Sequence, residues 1–139
     1  ISLEGTAAEM LARQDKPARL AVASLLDEIN AEMRTALERG DLDSWAKADD
    51  RFHRALIDRC GNGRLARMAN TIMDQSHRAR MMTLRLRARP ERSCKEHQAI
   101  VSAIKSGGAE KAFALARHHR QRARDELVPL LAQLGLKNI

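Results

Sequence analysis

The 139-residue sequence contains no tyrosine, one tryptophan and two phenylalanines. A surface built to stack nucleic-acid bases on aromatic rings is therefore excluded as its main device. Proline is scarce at three residues and glycine at seven, so the chain has neither the linker composition of a disordered protein nor the turn density of an all-β one. The two cysteines, Cys60 and Cys94, stand alone without a C-x-x-C pair, which sets aside a disulfide framework and a thiolate metal knuckle. No run approaches the roughly 20 apolar residues of a membrane span, and none within the sequence reads as an apolar signal segment. The sequence expectation is a cytoplasmic, membrane-free domain with reduced thiols.

What the sequence does have is apolar residues at helical spacing and many arginines. Hydrophobic residues make up 44%, charged residues 31%, and the formal net charge is +7. No segment alternates as a half-buried strand would. The period predicts an all-α, antiparallel bundle of six to seven helices in one domain over residues 1–139. A first helix runs from Leu3 to about Gln14, and Asp15 with Pro17 starts a second. That second helix carries Val22, Leu26, Ile29, Met33 and Leu37 on one face and stops at Gly40. Asp41 or Asp43 caps a third helix ending near Cys60, and a fourth runs from about Arg64 to before Arg89-Pro90. Ser93 with Glu96 three residues on reads as a capping box for a fifth helix, ended by Gly107-Gly108. A sixth starts near Ala109 and continues to about Leu127, with a break or kink at Pro129. Ile1 in place of an initiator methionine suggests a piece of a longer protein.

Four polar residues fall on faces that the period marks as buried. Asp49 and His53 lie one turn apart among Trp45, Phe52 and Leu56, so both can address one point. His97 opens the stripe His97, Ile100, Val101, Ile104. His119 shares a face with Ala112, Ala116 and Ala123, whereas His118 points about 100° away. Taken singly, each histidine reads as a hydrogen-bonded core residue, and Asp49 with His53 as a simple side-chain pair. Taken together, three inward imidazoles and one inward carboxylate from three helices form a site for a divalent transition metal. Zinc is the first choice, with nickel, manganese or iron compatible with the same ligands.

The run Asp49-Asp50-Arg51-Phe52-His53-Arg54-Ala55-Leu56, followed by Gly61-Asn62-Gly63-Arg64-Leu65, resembles the D-x-x-F-H-x-x-L and G-N-x-x-L signature of the FadR-type C-terminal (FCD) domain of GntR transcription regulators. Glu96-His97-Gln98-Ala99-Ile100 through Ile104 resembles that family's E-H-x-x-I-x-x-A-I segment, and Leu3-Glu4-Gly5 its opening helix. One departure is Gly108, where the family often carries an acidic residue. The resemblance implies a dimeric helical domain that binds a metal and a small organic acid, joined to an N-terminal winged-helix domain that contacts DNA. It also implies Asp49, His53, His97 and His119 as the metal ligands, the positions that periodicity selects.

Ser76 and Arg80, inward on the fourth helix, are the expected contacts for the acid, the guanidinium because it can grip a carboxylate with two hydrogen bonds. Three rival readings follow from the same residues. A helical metallohydrolase needs a further inward general base, and Glu96, placed as a cap, does not supply one. A structural dimerisation bundle uses the metal only to secure the fold. Direct DNA binding by this chain lacks a helix-turn-helix to carry it.

Overall fold

A computed structural model describes residues 2–87 and 90–135. Over these residues the fold is an all-α bundle of six helices: α1 (Leu3–Ala12), α2 (Lys16–Glu38), α3 (Leu42–Asp58), α4 (Gly63–Thr83), α5 (Glu91–Ser106) and α6 (Ala109–Gln133). Most helix starts have a local cause in side-chain capping of otherwise unpaired N–H groups. The Ser2 hydroxyl accepts from the Gly5 amide, and Asp15 from that of Ala18, with Pro17 in the first turn of α2. Asp41 rather than Asp43 caps α3 through Ser44, and Asn62 accepts from both Arg64 and Leu65 at the start of α4. Gly107, at φ +78°, ends α5 in the left-handed conformation that favours glycine.

Three sequence expectations are corrected. Ser93 does not open α5: the helix begins at Glu91 behind Pro90 with no side-chain cap, and Ser93 lies buried inside the first turns. Nor does Glu96 close a capping box, because its carboxylate is used across the bundle by α6. Helix α6 also runs through Pro129 without interruption to Gln133. A proline there removes one backbone hydrogen bond near the helix end. The C-terminal flanks of its pattern, including Leu131, still bury an apolar side chain and favour continuation. The fourth helix ends at Thr83, earlier than its arginine-rich sequence suggests, and Arg89 lies outside the described residues.

The core forms where the apolar stripes meet. Helix α2 packs on α3 and α5, α5 on α6, and α1 lies chiefly along α6 while also touching α3 and α5. Leu11, Leu26, Met33, Phe52 and Ile104 are fully buried, and Trp45 nearly so. Burial of each large apolar side chain stabilises by about 1.5–3 kcal/mol before chain entropy is set against it. Close approach of α1 and α6 rests on small residues: Gly5 sits against the Phe113 ring, and Ala8 and Ala112 are fully buried. This packing brings the polar faces of α1, α3, α5 and α6 to one interior point.

Candidate metal centre

Helix α3 delivers Asp49 and His53 to that point one turn apart, both nearly inaccessible to solvent. Helix α5 brings His97, fixed by the Phe52 ring that stacks on it at 3.9 Å between centroids and 5° between planes. Helix α6 brings His119 from a stripe of alanines. His97 Nε2 and His119 Nε2 are 3.1 Å apart, and Asp49 Oδ1 lies 3.4 Å from His53 Nε2 and 3.5 Å from His97 Nε2. One ring nitrogen from each of His53, His97 and His119 lies within 4.8 Å of the others. Donors about 2.1 Å from a single ion stand roughly 3–3.5 Å apart at tetrahedral or octahedral angles, which the His97–His119, Asp49–His53 and Asp49–His97 separations of 3.1, 3.4 and 3.5 Å match.

The surrounding hydrogen bonds settle which nitrogens face inward. His53 Nδ1 donates to Glu4 Oε2 at 3.0 Å, and His119 Nδ1 donates to Glu96 Oε1 at 2.7 Å. Each bond orients its ring so that Nε2 faces the centre, where it offers a lone pair once the imidazole is neutral, the arrangement that carboxylates impose on metal-binding histidines. Glu96 is itself gripped by Arg122, whose Nε lies 2.7 Å from Oε2 and Nη2 2.6 Å from Oε1. The outer oxygen of Asp49 is held by Arg80 Nε at 2.5 Å.

Charge follows this layout. Burial alone would raise the carboxyl of Glu4, yet Arg120 and His53 draw it down to about 2. Burial likewise opposes ionisation of Glu96, and hydrogen bonds from His119 and Arg122 bring it to about 2. Asp49 is held well below the usual carboxylate range because Arg80 and His53 outweigh its desolvation. Burial disfavours a charged His53, but Glu4 and Asp49 together raise it to about 9. His97 and His119 are lowered, first by burial, and stay neutral. Without a metal the cluster thus concentrates its positive charge on His53.

The centre opens on one side into a cavity of about 750 Å³ between α4 and α6, with Asp49, His53 and His119 in its wall. Both residues expected to contact an acid, Ser76 and Arg80, line this cavity. Ser76 Oγ accepts from Arg120 at 2.8 Å, while Arg80 is buried and committed to Asp49, not solvated at the surface.

The FCD domain profile matches residues 1–122. The chain belongs to the FCD domain family. Every group in the centre, from Glu4 to Arg122, falls inside the matched span of the FCD domain. A curated sequence from Agrobacterium vitis, described as an uncharacterized HTH-type transcriptional regulator in the TAR-I ttuE-ttuC' intergenic region, is 49% identical over 57 residues. That alignment takes in 41% of this chain and 33% of the relative, so the chain matches about a third of the relative's length.

All four ligand candidates from the sequence converge in this FCD domain. Glu4, Glu96 and Arg122 were not singled out as parts of the centre. Glu4 was legible in principle, since Glu4, Ala7, Ala8 and Leu11 form one buried stripe of α1 at offsets of zero, three, four and seven. An acidic residue at the head of such a stripe needs a partner. Glu96 and Arg122 carry no such local signal, because their partners lie on another helix.

Proposed function

We propose that this FCD domain is the ligand-sensing part of a bacterial transcription regulator, holding a divalent metal through Asp49, His53, His97 and His119 and a small organic acid in the adjoining cavity. The observation that carries the reading is the pair of Nδ1–H bonds to Glu4 and Glu96, which aim His53 and His119 Nε2 at the same point as His97 Nε2 and Asp49 Oδ1. Zinc is the favoured ion, with nickel, manganese and iron admitted by the same nitrogen and oxygen donors. When bound, the metal supplies a Lewis-acidic position toward which an effector carboxylate is drawn.

The protein's own residues do the rest. Ser76 and Arg80 present polar groups in the wall, and Arg80 keeps Asp49 ionised and oriented. In the whole regulator the domain pairs as a homodimer and transmits effector binding to an attached winged-helix domain that contacts DNA. For this to regulate, the acid must bind one arrangement of the pair better than the other. The Agrobacterium vitis relative, described as an HTH-type regulator, supports this placement.

A hydrolytic reading is less well supported. Both glutamates nearest the histidines are engaged, Glu4 by His53 and Glu96 by His119 and Arg122, so neither is a free general base. A purely structural metal accounts less well for a cavity that reaches three of the four ligands.

The test is metal analysis of the purified chain beside His97→Ala and His119→Ala, then thermal denaturation with small carboxylic acids. The reading expects one equivalent of metal, its loss in both variants, and stabilisation by acids only in the metal-loaded protein. A metal-free wild type whose melting the substitutions leave unchanged defeats it.

A further inference from the structure

The cavity beside the metal centre has a charge balance of its own. Arg80, Arg87, Arg117, Arg120 and Arg124 line it against the single carboxylate of Asp49. Three of the five are partnered from behind the wall. Arg80 is paired with Asp49, and Arg87 bonds both oxygens of Glu126 at 3.3 and 3.1 Å. Arg120 faces Glu4 with its Nε 3.6 Å from Oε1. Among the described residues, no acidic group pairs with Arg117 or Arg124, and both are exposed. They are seven residues apart on one face of α6, about 10.5 Å along its axis.

Resting on the metal-and-acid reading above, we propose that the effector carries at least two anionic groups. One carboxylate faces the Asp49–histidine centre, and a second anion, carboxylate or phosphate, is held by Arg117 and Arg124. A monocarboxylate directed to the metal leaves both guanidiniums unneutralised within the same concave, positively charged wall. A second anion gains charge-assisted hydrogen bonds there, roughly twice as strong as neutral ones. The concave shape concentrates the field of the two arginines on the cavity. Its volume of about 750 Å³ accommodates a four- to six-carbon diacid with room for water.

The experiment compares acids of matched chain length by calorimetry on the zinc-loaded 139-residue chain, using succinate and butyrate, with 3-phosphoglycerate as the phosphate-bearing arm. Succinate or 3-phosphoglycerate should bind at least about tenfold more tightly than butyrate, the difference of one good charge-assisted contact. The stronger of the two names the chemistry of the second anion. In R117Q/R124Q that preference should collapse to within about twofold, whereas R117K/R124K, which keeps the charge, should retain most of it. No preference over butyrate for either succinate or 3-phosphoglycerate, a preference untouched by R117Q/R124Q, or no binding of any of the three at millimolar concentration overturns the proposal. Metal content of the same samples separates the two levels of failure. Absence of zinc after loading defeats the metal centre itself. Bound zinc with no preference over butyrate for either succinate or 3-phosphoglycerate defeats only the two-anion effector.

Discussion

His119 is held between two partners of opposite kind, giving its Nδ1 proton to Glu96 at 2.7 Å and turning its Nε2 to within 3.1 Å of His97 Nε2. Glu96 touches none of the inward nitrogens, yet it determines where the lone pair of His119 points. Glu96→Gln keeps the shape but weakens the acceptor and releases Arg122. Loss of such an outer partner lowers metal affinity by about 10–100-fold. Competition with a fluorescent chelator measures this, and circular dichroism checks that helicity is kept. Unchanged affinity would mean that Glu96 serves only to tie α5 to α6.

Metal binding should eject a proton at neutral pH. His53 is raised to about 9 by Glu4 and Asp49 against its burial, so it is protonated at pH 7 before a metal arrives. A metal takes only the neutral imidazole. His97 and His119, both lowered by burial, are already neutral and contribute no proton. The sign follows: apparent affinity rises with pH up to about 9 and then levels off, and it falls as pH drops below that. Calorimetry in buffers of different ionisation enthalpy counts the protons released, with about one expected at pH 7. A count of zero would show that His53 is neutral in the metal-free protein. The same group adds to metal-free stability below its unfolded value of 6.5, and that contribution is lost as pH rises through about 9.

Phe52 serves the core and the centre at once, being fully buried and stacked on His97. Phe52→Ala should lower stability by about 3–5 kcal/mol, the usual range for a large buried aromatic. It should also loosen His97, whose Nδ1 has no hydrogen-bond partner to hold the ring. Urea denaturation with and without zinc distinguishes the effects. Wild type should gain about 2.7 kcal/mol at a metal concentration 100 times the dissociation constant, and the variant less at the same concentration. An equal gain in both would show that the stacking does not position His97.

The helical period exposed the parts of this site that act within one helix and hid those that act between helices. Asp49 and His53 share a turn with Trp45 and Phe52, so their inward direction is written in the local pattern. His97 and His119 follow for the same reason. Glu96 lies one residue from His97, and its spacing from Ser93 matches a capping box. Its real partners, His119 and Arg122, are on α6, 23 and 26 residues away, and only packing reveals them. Pro129 misled in the opposite direction, since a local rule for breaking helices yielded to continued burial along α6. Arginine spacing alone likewise cannot separate Arg80, buried on Asp49, from Arg117, which is exposed.

Arg80 and Asp49 form a buried pair, and the proposed metal centre makes its worth depend on the ion. Arg80→Met removes the larger of the two influences that hold Asp49 ionised, His53 being the other, and leaves a buried carboxylate short of a partner beside the histidines. Breaking one side of a buried ion pair costs about 3–5 kcal/mol. In the metal-loaded protein the ion supplies positive charge next to Asp49 Oδ1, so the loss there should be smaller. The expected result is a large drop in melting temperature for the metal-free variant and a partial recovery on adding zinc. Comparing the two substitution penalties, with and without metal, gives the coupling between Arg80 and the ion. Equal penalties would place the ion out of reach of Asp49, and would reduce the ligand set to the three histidines.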